Sequence, residues 1–142
     1  MQDPFELDRF VAAQEPVLDQ VRRELREGRK RSHWMWFVFP QLRGLGTSAM
    51  AQRYGITSLE EARAYLAHPV LGPRLEDSTA LVNAVEERSA EEILGGIDAV
   101  KLRSCLTLFA AARPGEGVFT AALARYFGGV PDPRTLALVG QG

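Results

Sequence analysis

Six polar or aromatic side chains of this chain could together bind a small anion. They are His33, Trp36, Gln41, Arg43, Lys101 and Ser104. Guanidinium and ammonium groups form charge-assisted hydrogen bonds with phosphate and carboxylate oxygens, and an indole ring can stack on a ring-bearing ligand. We therefore predict that these residues line a cleft for a small anionic or nucleotide-like ligand. The identity of that ligand, and whether the protein is an enzyme, stay open.

Most of these residues lie in or beside one aromatic stretch, residues 29–46, with the sequence RKRSHWMWFVFPQLRGLG. Its apolar run is too short for periodicity to distinguish a helix from a strand. No second strand candidate of similar strength could pair with it, and Ser32 and Pro40 are suited to begin and end a helix. We therefore predict a short helix here, buried on nearly all sides, with His33 at its first turn.

A long apolar helix is predicted from about Ala99 to Arg113, and it carries Lys101 and Ser104 on one face. A lysine in such a place extends its carbon stem over apolar neighbours and brings its ammonium group to water or to an anion. We expect the aromatic stretch to pack against this helix. That packing would bring the two groups of candidate residues to the same opening.

Capping residues, glycines and prolines divide the rest of the chain into short amphipathic segments. Ser58 and Ser89 each begin a capping-box pattern, in which a glutamate follows three residues later, and Gly-Gly pairs at 95–96 and 128–129 end helices. No linker, repeat or low-complexity segment interrupts this pattern. We predict an all-α fold, with one domain over residues 1–142, arranged as a compact orthogonal array of about seven to nine short helices.

Composition excludes several classes of function. The net charge of −1 gives no general attraction for nucleic acid or for a membrane surface. No apolar run approaches the roughly 20 residues of a membrane-spanning helix, and the N-terminus does not resemble a signal peptide, so we expect a cytoplasmic protein. One cysteine and two isolated histidines predict no metal site, and without a nucleotide-binding motif we predict no cofactor. The oligomeric state cannot be read from the sequence.

Two alternative functions remain open at this point. Exposed aromatic side chains of the stretch could anchor a protein partner, which would make the chain a protein–protein interaction module. The basic run from Arg22 to Arg31 could contact phosphates of a nucleic acid. Glu24 and Glu27 interrupt that run, which is typical of a solvated helix face, so we expect at most weak nucleic-acid binding.

Four segments of the chain closely resemble an uncharacterised bacterial family. They are SHWMWFVFPQLRGLG from Ser32, AYLAHPVLGPRL from Ala64, KLRSCLTLF from Lys101 and ARYFGGVPDPRTL from Ala124. Members of that family are single-domain proteins of unknown function, some of them labelled "calpastatin". The resemblance implies a small all-α fold and supplies no activity or catalytic residue. Calpastatin-type inhibitors are long, disordered and repetitive, so we do not expect that function of a short, unrepeated chain.

Overall fold

Ten helices and no strand are formed by residues 3–140, the part of the chain that this computed structural model describes. They are α1 (Asp8–Gln14), α2 (Leu18–Glu27), α3 (Met35–Val38), α4 (Ala49–Arg53), α5 (Leu59–Ala67), α6 (Leu71–Asn83), α7 (Ala90–Leu94), α8 (Gly96–Ala112), α9 (Val118–Phe127) and α10 (Pro133–Gly140). The predicted all-α class is confirmed. The count slightly exceeds the predicted seven to nine, because α3, α4 and α7 have only four or five residues each. Within residues 3–140, no helix is both long and apolar enough to cross a membrane.

The 17-residue helix α8 lies at the centre of the core. It packs against α5, α7, α9 and α10, and its residues Leu102, Leu106 and Phe109 are fully buried. A helix that is apolar around most of its circumference needs neighbours on most sides. Cys105 is buried in the same core, and burial raises the pKa of its thiol, which keeps the sulfur protonated and unreactive.

The aromatic stretch forms a helix as predicted, but α3 spans only four residues. Ser32 does not cap it; the Ser32 hydroxyl donates a hydrogen bond to the Glu24 carboxylate instead, at 2.6 Å. Trp34 is buried and its indole N–H donates to the same carboxylate at 3.0 Å. Trp36 is only half-buried. The two tryptophans therefore differ, since one is a core anchor and the other reaches the surface.

Glu24 holds the first residues of the aromatic stretch in place through hydrogen bonds. Its buried carboxylate accepts five hydrogen bonds, from the Gln20 amide, the Arg31 and Ser32 backbone N–H groups, the Ser32 hydroxyl and the Trp34 indole. Burial by itself would raise the pKa of this carboxyl group, but the hydrogen bonds outweigh it and lower the pKa to about 2. Arg23 and Arg26 of the same run are exposed, as expected of a solvated helix face, whereas the Glu24 side chain points inward.

Gly55 allows the chain after α3 to cross close to the end of α4. The Arg43 backbone N–H donates to the Ile56 carbonyl, and the Ile56 N–H donates to the Gln41 carbonyl, each at 2.9 Å. A Cβ atom at residue 55 would lie 2.7 Å from the Cα atom of Arg43. The crossing therefore requires glycine, and it sets the position from which the Arg43 side chain extends.

We expect Gly55→Ala to lower the free energy of unfolding by about 1–3 kcal/mol, because the added methyl group forces the two backbone segments apart. Gly96→Ala, at the start of α8, is the matched control, since a Cβ atom there meets nothing within 4 Å. It should be neutral or slightly stabilising. Urea denaturation followed by circular dichroism measures both, and equal midpoints for the two variants would contradict the argument.

Candidate functional site

An open cleft of about 530 Å³ lies between the segment before α1 and the segment that joins α4 to α5. We call it the arginine cleft; its lining residues are Pro4, Phe5, Glu6, Arg9, Arg43, Arg53, Thr57 and Glu61. Three arginines and two glutamates give this lining a formal charge of +1. The volume falls within the range of about 300–1,000 Å³ that small-molecule sites occupy.

Arg9 forms the floor of the arginine cleft and connects α1 to the chain around α5. All five of its N–H donors meet protein acceptors, which are the carbonyls of Phe5, Glu6, Arg53 and Gly55 and the carboxylate of Glu61. A guanidinium group has five N–H donors, so Arg9 has none left for a ligand. Its role is to hold the walls of the cleft together.

Glu61 is the buried partner of Arg9. One carboxylate oxygen lies 3.1 Å from Arg9 Nη2, and the other accepts hydrogen bonds from the Thr57 backbone N–H and hydroxyl, at 2.9 and 2.7 Å. Ser58 caps α5 by accepting the Glu61 N–H, but the Glu61 side chain turns to Thr57. The predicted capping box is therefore only half formed, and both oxygens of Glu61 are engaged by the protein.

Arg43 and Arg53 are the two cations of the cleft that the protein leaves available. Arg43 donates from Nε to the Gln52 carbonyl at 3.1 Å, and the Arg53 guanidinium lies 5.5 Å from the centroid of the Tyr54 ring. Both side chains are exposed, and in residues 3–140 neither forms an ion pair with a carboxylate. Their terminal nitrogens can therefore bind an anion that enters the cleft.

A second, much smaller cavity beside α3 brings together Trp36, Gln41 and Lys101. The Lys101 ammonium lies 5.0 Å from the centroid of the Trp36 ring and 3.5 Å from an Asp98 carboxylate oxygen. The aromatic stretch and α8 thus meet here, as expected. The cavity has a volume of only about 10 Å³, which is close to the space that one water molecule needs. A nucleotide-sized ligand does not fit in it.

The other three candidate residues lie elsewhere. His33 is exposed and lines neither cavity, and Arg43 lines the arginine cleft. Ser104 is buried, and its hydroxyl contacts the Val100 carbonyl at 3.2 Å and the Asp132 carboxylate at 3.3 Å. Asp132 also accepts the Thr135 N–H at 2.9 Å, so Ser104 supports the start of α10. The six candidate residues therefore do not line one cleft. Three surround the small cavity, Arg43 lines the arginine cleft, and His33 and Ser104 line neither.

A charged cluster beside the tryptophans was not anticipated from the sequence. The Lys30 ammonium lies 3.0 Å from Asp98, which also pairs with Lys101, and it lies 5.2 Å from the centroid of the Trp34 ring. Two lysines therefore share one aspartate, and each lies against one tryptophan. The basic run before the aromatic stretch was the available signal, but it does not reveal which of its side chains turns inward.

Sequence reasoning also did not identify Arg9 and Arg53 as site residues. Arg9 lies 44 residues before Arg53 in the chain, and no motif connects the two. They meet because the segment before α1 packs beside the end of α4. The only local signal was an arginine next to an aromatic residue at each position, Phe10 and Tyr54, which is too common to indicate a site.

Comparison with known proteins agrees with the fold and assigns no activity. The family model described as "Protein of unknown function (DUF1810)" matches residues 4–139. A similar solved structure is the crystal structure of the conserved hypothetical protein Rv1873 from Mycobacterium tuberculosis. It is 62% identical, the match covers 97% of this chain and 99% of that chain, and the TM-score is 0.96. No curated protein matches the chain.

Proposed function

We propose that this chain, which belongs to the family of unknown function DUF1810, binds a small anionic ligand in the arginine cleft. The observation that carries the proposal is that Arg43 and Arg53 line one open, ligand-sized cleft without a carboxylate partner in the described part of the chain. Like charges that share a cleft repel each other. An anion between them would remove this repulsion and form charge-assisted hydrogen bonds with both groups.

The floor of the arginine cleft supports the same proposal. Arg9 and Glu61 neutralise each other, and their hydrogen bonds hold the cleft walls in place before any ligand arrives. A site that is already ordered loses less conformational entropy on binding. The ligand therefore interacts mainly with the free cations, Arg43 and Arg53, and not with the neutralised pair.

The position of this cleft differs from the position expected from the aromatic stretch. Trp36, Gln41 and Lys101 surround a space of about 10 Å³, whereas the arginine cleft has about 530 Å³. The larger volume of the arginine cleft therefore favours it as the binding site for any ligand larger than water. Arg43 is the one candidate residue from the sequence that this proposal retains.

The interaction-module alternative has less support. Among the aromatic residues of the stretch, Trp34, Phe37 and Phe39 are buried and only Trp36 reaches the surface in part. Within residues 3–140 the exposed large apolar side chains are all aliphatic, namely Val70, Ile97, Val100, Val130, Leu136 and Leu138. An aromatic anchor for a partner would thus consist of one half-buried ring, which is a small surface compared with known protein interfaces.

Removal of both free cations should abolish most of the affinity. We expect the double variant Arg43→Ala/Arg53→Ala to bind anions at least tenfold more weakly, because a hydrogen bond to a charged group contributes about 1.5–3 kcal/mol. Thermal-shift screening of the wild-type protein against anionic metabolites finds the ligand, since one at 100 times its dissociation constant stabilises by about 2.7 kcal/mol. Isothermal titration calorimetry then compares the affinities of the wild-type protein and the variant.

The matched control is the double variant Arg88→Ala/Arg134→Ala, which removes two exposed arginines and leaves the arginine cleft intact. It should bind the hits as the wild-type protein does. Equal weakening in both double variants would indicate a general charge effect. The proposal fails in that case, and also if no anion in the screen stabilises the protein.

A further inference from the structure

We propose that Glu6 determines the specificity of the arginine cleft, and that the ligand is a phosphate monoester that carries hydroxyl groups. This inference rests on the proposed anion binding. Glu6 lines the cleft and is exposed, and among residues 3 to 140 no side chain or backbone donor hydrogen-bonds to its carboxylate. A carboxylate without a hydrogen-bond donor thus lines the same cleft as the two available guanidinium groups, those of Arg43 and Arg53.

Glu6 has an unusual backbone conformation. Its φ angle of 53° lies in the left-handed region, which is uncommon for residues other than glycine, asparagine and aspartate. Asp3 holds it there, because the Asp3 carbonyl accepts the Glu6 N–H at 3.0 Å and its carboxylate accepts the Leu7 and Asp8 N–H groups at 2.8 and 3.0 Å. Glycine would adopt this conformation with less strain, so Glu6→Gly can remove the carboxylate without destabilising the fold.

The two free arginines favour a phosphate monoester over a monocarboxylate. A phosphate monoester carries about −1.5 to −2 charges at pH 7 and offers three acceptor oxygens. That charge matches the two guanidinium groups of Arg43 and Arg53, whereas one guanidinium already satisfies a carboxylate in a bidentate pair. The phosphate would therefore lie between the two arginines.

The carboxylate of Glu6 then selects the remainder of the ligand. An ionised carboxylate only accepts hydrogen bonds, so it repels a second anionic group and favours a hydroxyl donor. The cleft, at about 530 Å³, has room for more than a phosphate, and the half-buried Phe5 provides an apolar wall for a carbon skeleton. A phosphorylated sugar or a similar hydroxylated phosphate has this combination of groups.

Three probes separate these contributions by calorimetry on the full chain at pH 7: ribose 5-phosphate, propyl phosphate and ribose. The wild-type protein should bind ribose 5-phosphate about tenfold or more tightly than propyl phosphate, the size expected for one hydrogen bond to a charged group, and ribose should not bind measurably. Glu6→Gly should reduce that preference to less than about twofold by removing this bond. The same variant should raise the denaturation midpoint, because glycine relieves the strain.

Glu87→Gly is the matched control. Glu87 has a φ angle of 59°, is exposed and does not line the arginine cleft. Its replacement should also raise the midpoint but leave the preference for ribose 5-phosphate unchanged. Equal binding of the two phosphates by the wild-type protein, or an unchanged preference in Glu6→Gly, would overturn the role of Glu6 and leave anion binding intact. Failure of both phosphates to bind would overturn the phosphate-monoester proposal, whereas anion binding itself fails only if no anion in the thermal-shift screen stabilises the protein.

Discussion

Replacement of Glu24 by glutamine should lower the free energy of unfolding by about 3 kcal/mol, because the hydrogen bonds that favour the ionised carboxylate in the folded protein are weakened or lost. The carboxylate accepts five hydrogen bonds and is fully buried. A glutamine side chain can keep one oxygen for the N–H groups of Arg31, Ser32 and Trp34. It is uncharged, however, and its amide nitrogen replaces the oxygen that accepts from Gln20 and from the Ser32 hydroxyl. Urea denaturation measures the loss. Glu27→Gln is the control, because Glu27 is exposed and its pair with Arg31 should contribute less than about 1 kcal/mol.

The difference in stability between the wild-type protein and Glu24→Gln should depend on pH. The pKa of Glu24 is lowered from 4.5 to about 2 by folding, so its charge stabilises the folded state above pH 4.5 and this contribution is lost as the pH falls towards 2. A shift of this size corresponds to about 3 kcal/mol. The difference in stability between the wild-type protein and Glu24→Gln should therefore shrink between pH 5 and about 2.5. A difference that stays constant over this range would show that the carboxylate charge is not its source.

The helix boundaries could be predicted where the chemistry that sets them is local. Ser89 forms the complete predicted capping box at the start of α7, and Ser58 caps α5. Gly28 and Gly128 end α2 and α9 in the left-handed conformation that favours glycine. Each of these signals involves residues within one helical turn of each other. Local signals of this kind were sufficient for the all-α class.

The site could not be predicted in the same way, because its contacts join residues that are distant in the chain. Glu24 was read with its charged neighbours on α2, but its partners Ser32 and Trp34 lie eight and ten residues later, in a turn that the helical pattern does not describe. Ser104 was read with Lys101, yet its partner Asp132 is 28 residues away. The arginine cleft likewise exists only once separate segments have packed together.

Arg9→Ala should lower the free energy of unfolding by about 3–5 kcal/mol, because it leaves a buried carboxylate without its cation. The side chains of Arg9 and Glu61 are 14% and 2% exposed, so the carboxylate of Glu61 cannot turn to water when its partner is removed. The control is Arg113→Ala. Arg113 pairs with Glu76, and the two side chains are 47% and 41% exposed, so that carboxylate returns to water and the loss should be about 1 kcal/mol or less.

Removing the negative charge of Glu61 as well tests why Arg9→Ala destabilises the fold. The double variant Arg9→Ala/Glu61→Gln should be more stable than the sum of its two single variants predicts, by about 0.5–3 kcal/mol, because no unpaired buried charge remains. Arg9 also donates to the carbonyls of Phe5, Glu6, Arg53 and Gly55, so part of the loss should persist. Strictly additive effects would show that Arg9 stabilises the fold through those carbonyls alone. In either case the arginine cleft should lose its shape with Arg9, since the same bonds hold its opposite walls.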